Sequence, residues 1–399
     1  MRKFLCMIPA ATLAACGGAG PQSVGSQAAP TAPTPATGGT TPSNNHSFVA
    51  PTVQKTYSAI GGVQSFSYQT RTGGTSQSAQ LYAGDASTAR NSGITVDYNP
   101  RDAIFEVKID APRAGVSQTL RFQDPLHRTD FGGAAEPQVG TPRLSAQGIQ
   151  YLESGSTKSP IRFDSAQSEM LPVGDNQGDY VSQTFFYQKP GTTTKYVTFA
   201  GYLRNQTQVR DEITNGVTRT LQNNVLERAA FVYGERTTND AVPKTGTATF
   251  NGPMIATMIF NPLRDTDPTA PTYFQWIEGT SRTTVDFAAS SFTLNLNGTV
   301  FAPQFDAFTT KVFTLQPGAT FTAAGAGRID LVNAGGFLGQ FTSAGFTQPG
   351  GNFAVNIAGS SIDGAFYGPA ADEVGGGFRI VGGTPDQRID ILGAFTGTK

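Results

Sequence analysis

From Phe48 onward the apolar side chains recur at every second position, a spacing that belongs to strands and leaves little besides β-structure open to the chain. Ser65-Phe66-Ser67-Tyr68 alternates, as do Ile94, Val96, Tyr98 and Phe105, Val107, Ile109. Later come Phe292, Leu294, Leu296, then Phe353, Val355, Ile357, then Ile389, Ile391 and Phe395 around Gly393. Each run offers one apolar face, as a half-buried strand does. Turn dipeptides punctuate the runs: Asn215-Gly216, Asn297-Gly298, Gly350-Gly351 and Gly382-Gly383. No long stretch carries helical spacing, so the sequence predicts an all-β chain. After a boundary near Glu227 to Pro243 the strands come at short, even spacing, and from Gly318 onward glycine becomes dense, the pattern of a small closed barrel relieved by glycine at its corners.

The N-terminus reads differently. Arg2 and Lys3 form a positive n-region, Phe4 to Ala11 is apolar, and Leu13-Ala14-Ala15-Cys16-Gly17 resembles a bacterial lipobox. That resemblance implies a signal peptide over 1–15, removal before Cys16, and acylation of Cys16 by the lipoprotein export machinery. Gly17 is not the aspartate that retains such lipoproteins in the inner membrane, which implies an outer-membrane address. Residues 16–47 are rich in Gly, Ala, Pro, Ser and Thr and carry no acidic or basic side chain, so they cannot bury enough apolar surface to offset ordering. They read as a disordered tether, spanning roughly 30 Å as a coil and up to about 100 Å stretched. Beyond it, 48–230 is an irregular β-rich region with long polar loops, and 231–399 is the evenly spaced β-region, the boundary falling near Glu227 to Pro243.

Composition removes several function classes. The 399 residues have a formal charge of −1 and only 14 % charged side chains, so no basic excess is present to hold nucleic acid. No second long apolar run is present to span a membrane as a helix. The two cysteines, Cys6 and Cys16, both fall to the signal and its lipid, leaving no thiol for a disulfide or a nucleophile. Of two histidines, His46 lies in the tether, and His127 in Asp124-Pro125-Leu126-His127-Arg128 is a candidate for binding an iron porphyrin, weighed against an ordinary surface histidine. One histidine without cysteine does not make a multi-ligand metal site, and no cofactor is expected, with haem entering only as a ligand.

The catalytic fragments lack their partners. Lys244-Thr245-Gly246 matches a β-lactamase element, yet no lysine has a serine three residues before it. Asp265-Thr266-Asp267 begins like a calcium loop, but Ala270 and Trp276 stand where glycine and glutamate are needed. Gly325-Ala326-Gly327 lacks the rest of a nucleotide fingerprint. Asp372-Glu373 and Asp386 sit among turn residues and read as solvated charge rather than paired catalytic carboxylates. The sequence is therefore read as that of a non-enzyme. Aromatics are the remaining candidates: Phe185-Phe186-Tyr187, and Tyr273-Phe274-Gln275-Trp276 with the only tryptophan. Tyr273 and Trp276 are candidate ligand anchors, with core filling the competing role.

Phe231-Val232-Tyr233-Gly234-Glu235-Arg236-Thr237, then Pro243 and Gly246-Thr247-Ala248-Thr249-Phe250-Asn251-Gly252, resembles the entry to the barrel domain of the transferrin-binding protein B family. Gly364-Ala365-Phe366-Tyr367-Gly368-Pro369, Glu373, Gly375-Gly376, Phe378 and Gly393-Ala394-Phe395 resembles its closing hairpins, and the resemblance covers roughly Phe231 to Lys399. It implies an eight-stranded antiparallel barrel preceded by a handle-like β-domain over 48–230, in a single lobe where the family has two. It further implies a lipid-anchored protein at the outer-membrane surface that captures an iron- or haem-carrying ligand for a TonB-dependent outer-membrane receptor. The alternative is an adhesin or host-factor binder without a transport role. The family's ligand-binding residues lie in variable loops, so none carries over to this sequence.

Overall fold

The computed structural model describes residues 47–71, 78–85, 92–112, 115–123, 140–153, 162–164, 169–171, 178–261, 273–302, 315–382 and 388–399. Cys16, almost all of the tether and His127 lie outside them.

The described residues form an all-β protein in three layers. The outermost is a four-stranded sheet in the order β1 (Lys55–Ser58), β4 (Ile94–Asn99), β5 (Ile104–Ala111), β6 (Val116–Gln123). The middle layer is a six-stranded sheet in the order β3 (Ser78–Asp85), β2 (Ile60–Arg71), β12 (Val217–Gly234), β11 (Val197–Thr214), β10 (Gly178–Gln188), β7 (Ile149–Glu153). A short pair, β8 (Arg162–Asp164) with β9 (Glu169–Leu171), stands apart from both sheets. The third layer is a closed eight-stranded antiparallel barrel. Its strands are β13 (Thr247–Asn261), β14 (Tyr273–Asp286), β15 (Ser291–Val300), β16 (Thr320–Asp330), β17 (Gly336–Gln348), β19 (Ile357–Tyr367), β20 (Glu373–Gly382) and β21 (Arg388–Thr398). Pairing of β21 with β13 closes the ring, and β18 (Gly351–Ala354) folds back on the end of β17.

Period-two alternation explains why three layers hold together. Along β12, Ala229, Phe231 and Tyr233 face a core shared with the four-stranded sheet, including Val96, Phe105 and Val107. The intervening Ala230 and Val232 face the other way, into a second core with Ile255, Trp276, Tyr367 and Ala394 of the barrel. Along Val197–Leu203 of β11 and Leu226–Tyr233 of β12 the middle sheet is thus buried on both faces. The barrel itself is apolar inside: on β15, Phe292, Leu294 and Leu296 are buried while Thr293, Asn295 and Asn297 are exposed. A membrane-spanning barrel has the reverse polarity, with its apolar band outward.

The structure moves several features read from the sequence. The boundary at 230/231 falls inside β12, which runs to Gly234 because its alternation keeps pairing with β2 and β11. The segment Phe231–Gly234 therefore ends the middle sheet, and the barrel starts at Thr247. The connection is zipped onto the barrel, Thr237 donating its N–H to Phe366 O at 2.9 Å. Asn215-Gly216 is the hairpin turn expected, both residues at positive φ (53° and 76°). Asn297-Gly298 is not a turn but lies within β15, where Gly298 faces Gly279 of β14. The turn near Gly350-Gly351 is made by 349–350, since Gln348 pairs with Gly351, and Gly383 lies outside the described residues. Gly375 to Gly377 lie within β20, where a Cβ on Gly375 would come within 2.8 Å of Val197 Cγ2 in the middle sheet. The reversal before β20 uses Gly368 at φ +85°.

Candidate functional site

Among the described residues the barrel interior is filled by aromatic and aliphatic side chains. Phe250, Phe260, Phe292, Phe321, Phe337, Phe366, Phe378 and Phe395 all point inward and are at most 2 % exposed. Phe366, Phe378 and Phe395 of the closing motif share that core. A binding function must therefore use the outside of the molecule.

Two outer features are available. The first is the end of the barrel at which β13, β15, β17 and β20 finish, where the described connecting residues are 301–302, 315–319 and 349–356. The opposite end has the short turns 287–290, 331–335 and 368–372. The second is an open groove of about 1290 Å³ on the outer wall. It runs from Ser145 and Ala146, just before β7, across β13 to β17 and reaches Asn352 and Ala354 of β18.

The wall of that groove is fixed by a carboxylate. Glu278 of β14 accepts the backbone N–H groups of Ser145 at 2.7 and 2.9 Å and of Ala146 at 2.9 Å. Glu373 of β20 does the same nearby, accepting from Lys195 at 2.6 Å, Tyr196 at 2.8 Å and Val197 at 3.1 Å. Glu373 is only 3 % exposed, so the reading of Asp372-Glu373 as solvated turn charge is corrected for Glu373. Its turn-like neighbourhood hid the fact that the middle sheet docks there. A bidentate pair, Arg379 with Asp390, lies buried on the same outer wall, where Gln64 donates to Asp390 O at 3.0 Å.

Glu227, on β12, is the other buried carboxylate; Arg204 Nη1 lies 3.2 Å away and Gln118 also donates to it. Burial pushes Glu227 above its ordinary 4.5, against the opposing pull of Arg204 and Gln118. Burial likewise raises Glu373, against its three N–H donors. A carboxyl raised in the folded state holds its proton more tightly there than in the unfolded chain. Its stabilisation is full below 4.5 and is lost as pH rises through the raised value. Acidifying from neutrality toward 4.5 is therefore expected to raise the urea midpoint, and Glu227→Gln is expected to flatten that slope. A midpoint that falls steadily across this window in the parent chain would contradict the assignment. Asp330, held below 3.8 chiefly by Asn333, acts in the opposite sense only at lower pH.

Of the residues singled out in the sequence, Cys16 and His127 lie outside the described set, as do Asp265-Thr266-Asp267 and Asp386. Tyr273 is the first residue of β14, and its side chain also falls outside the description. Trp276 is 4 % exposed, donates Nε1–H to Gly140 O at 2.8 Å and meets the Phe186 ring edge-on at 5.7 Å. It fills the junction between the middle sheet and the barrel and is not an exposed ligand anchor. Among the described residues no three of His, Cys, Asp and Glu gather as metal ligands. The groove was not found from sequence. Its only signal was the polar phase of β15, and its floor depends on which strands lie side by side.

The description "C-lobe and N-lobe beta barrels of Tf-binding protein B" belongs to the family whose model matches residues 242–399. Three solved structures may stand for those that are similar. Intact Ap-TbpB with its N and C lobes is 13 % identical, over 88 % of this chain and 80 % of that one, with a TM-score of 0.28. A TbpB mutant from Haemophilus parasuis Hp5 is 15 % identical over 86 % and 76 %, with a TM-score of 0.28. The isotype 1 TbpB of serogroup B Neisseria meningitidis is 12 % identical over 88 % and 77 %, with a TM-score of 0.26. No curated protein matches the chain. The family model and the closed strand order agree on the same segment: residues 242–399 form a barrel of the transferrin-binding protein B type.

Proposed function

We propose that this protein is a lipid-anchored outer-membrane protein, exposed at the cell surface, that captures an iron- or haem-bearing ligand and hands it to a TonB-dependent receptor. The observation that carries the reading is the match of the closed barrel to a family named for binding Tf, an iron-carrying protein. Three physical features support it. The barrel core is filled, so binding falls to outer surfaces and to the connections gathered at one end. The outer positions of β15 are polar, and apolar outer positions such as Ile255 and Trp276 are covered by the middle sheet, so attachment to a membrane falls to acyl chains on Cys16 rather than to the barrel wall. The polar tether over 16–47 gives the folded part room to meet a large ligand.

The full chain, displayed on cells, is to be offered iron-loaded transferrin, haemoglobin and free haem in turn. Retention of one of them is expected, with a Soret shift if it is haem itself. Deletion of the gene is expected to slow growth when that ligand is the sole iron source, and a TonB-dependent receptor is expected to co-purify. No retention of any of the three, with display intact and growth normal, overturns the proposal. Lost attachment with normal iron-limited growth would assign an adhesin instead.

A further inference from the structure

We propose that the groove on the outer wall of the barrel binds an extended, neutral oligosaccharide. The inference is independent of the iron reading. Strand register sets its geometry. Pro253, Thr280, Asn297, Thr322, Gly345 and Ala354 are successive cross-strand partners on β13, β14, β15, β16, β17 and β18. Cross-strand partners share a face, and Asn297 and Thr322 are exposed, so this row lies on the outer wall at right angles to the strands. Neighbouring strands sit about 4.8 Å apart, so the row offers one side chain per ~4.8 Å, close to the length of one pyranose residue in an extended chain.

The chemistry of the row and its flanks selects the ligand. Asn251, Asn295 and Asn352 flank it and are exposed, like Asn297. A carboxamide offers a carbonyl acceptor beside two N–H donors, and a threonine hydroxyl both donates and accepts. Sugar hydroxyls also do both, so this surface can satisfy them in either sense. Pro253, Gly345 and Ala354 leave low apolar stretches against which the C–H faces of a sugar ring can lie.

Charge and backbone exclude the competitors. Among the lining residues Arg282 is the one cation and Glu278 the one carboxylate, and Glu278 already holds the Ser145 and Ala146 N–H groups. Such a surface has no field with which to select an anionic chain. A peptide strand would need an open sheet edge; β14, β15 and β16 are paired on both sides along the groove, and the edge that the groove does reach, β18, is only the four residues Gly351–Ala354. The apolar outer positions of the barrel, such as Ile255 and Trp276, are spent beneath the middle sheet.

The test is titration calorimetry on the full chain, kept in a detergent without a sugar headgroup. The neutral probes are cellopentaose, maltopentaose and N-acetylchitopentaose, with a heparin pentasaccharide as the anionic comparison. At least one neutral probe is expected to bind with a dissociation constant of about 1 mM or tighter, and heparin is expected not to bind. Asn297→Ala with Asn352→Ala is expected to weaken binding about tenfold, from two lost hydrogen bonds. Thr322→Trp, which blocks the row with an outward side chain, is expected to abolish it. Thr293→Ala, exposed on β15 but outside the groove, should bind as the parent does. Thermal midpoints of all variants establish that the barrel remains folded. Failure of every neutral probe, equal binding of heparin, or full binding by the folded Asn297 and Thr322 variants overturns the proposal.

Discussion

Phe337→Ala is expected to destabilise the protein by about 3–5 kcal/mol, the range for emptying a large aromatic site in a packed core. Phe337 is 1 % exposed and lies at the centre of a ring cluster, with centroids 4.8 Å from Phe292, 5.5 Å from Phe366 and 6.4 Å from Phe395. The cavity cannot collapse easily. The wall beyond the ring is Gly364, where even a Cβ would come within 2.1 Å of Phe337 Cζ, so that side offers no side chain to fill the space. The ladder between β17 and β19 is also the shortest in the barrel, pairing Phe337, Leu338 and Gly339, with one further bond from Phe341 N–H to Ser360 Oγ at 2.9 Å. Loss of the ring therefore weakens closure as well as packing. Urea unfolding followed by far-UV circular dichroism should show a lower midpoint with an unchanged slope, and Phe337→Leu should cost distinctly less. A stability within about 0.5 kcal/mol of the parent would mean that the aromatic cluster does not hold the barrel closed.

Alternation carried much of this architecture into the sequence, because a side-chain period of two is set by the backbone and survives any tertiary context. Ile94 to Tyr98, Phe105 to Ile109 and Phe292 to Leu296 all place their apolar phase in a core. Alternation does not reveal when the second face is buried too. In Gly364-Ala365-Phe366-Tyr367, Phe366 enters the barrel while Ala365 and Tyr367 face the middle sheet, and nothing local marks them as a docking surface. Glu373 was missed for the same reason: a carboxylate beside a turn looks solvated until another sheet delivers three N–H groups to it. Asn297-Gly298 looked like a turn because the dipeptide has the right local chemistry, while the strand pairing on both sides overrides it. The groove is a product of register across six strands, a long-range property no window of sequence contains.

Trp276→Ala is expected to cost about 3–5 kcal/mol as well, but to break a different joint. Trp276 points out of the barrel, so its removal leaves the interior untouched and empties the junction with the middle sheet. Two losses combine there. The indole's N–H no longer reaches Gly140 O, and the Phe186 ring loses its edge-on partner. Phe186 cannot fill the space, because its ring already lies over Gly201, where a Cβ would come within 2.1 Å of Cζ. The expected signature is therefore a loss of cooperativity: calorimetry should resolve two transitions where the parent has one, the barrel melting near its original temperature and the sheets earlier. Trp276→Phe, which keeps a ring but not the donor, should cost only about 1–2 kcal/mol and preserve the single transition. Because Glu278 stands two residues along the same strand and holds the Ser145-Ala146 wall of the groove, Trp276→Ala should also weaken whatever the groove binds. One sharp transition in Trp276→Ala, at unchanged temperature, would show that the indole does not couple the two layers.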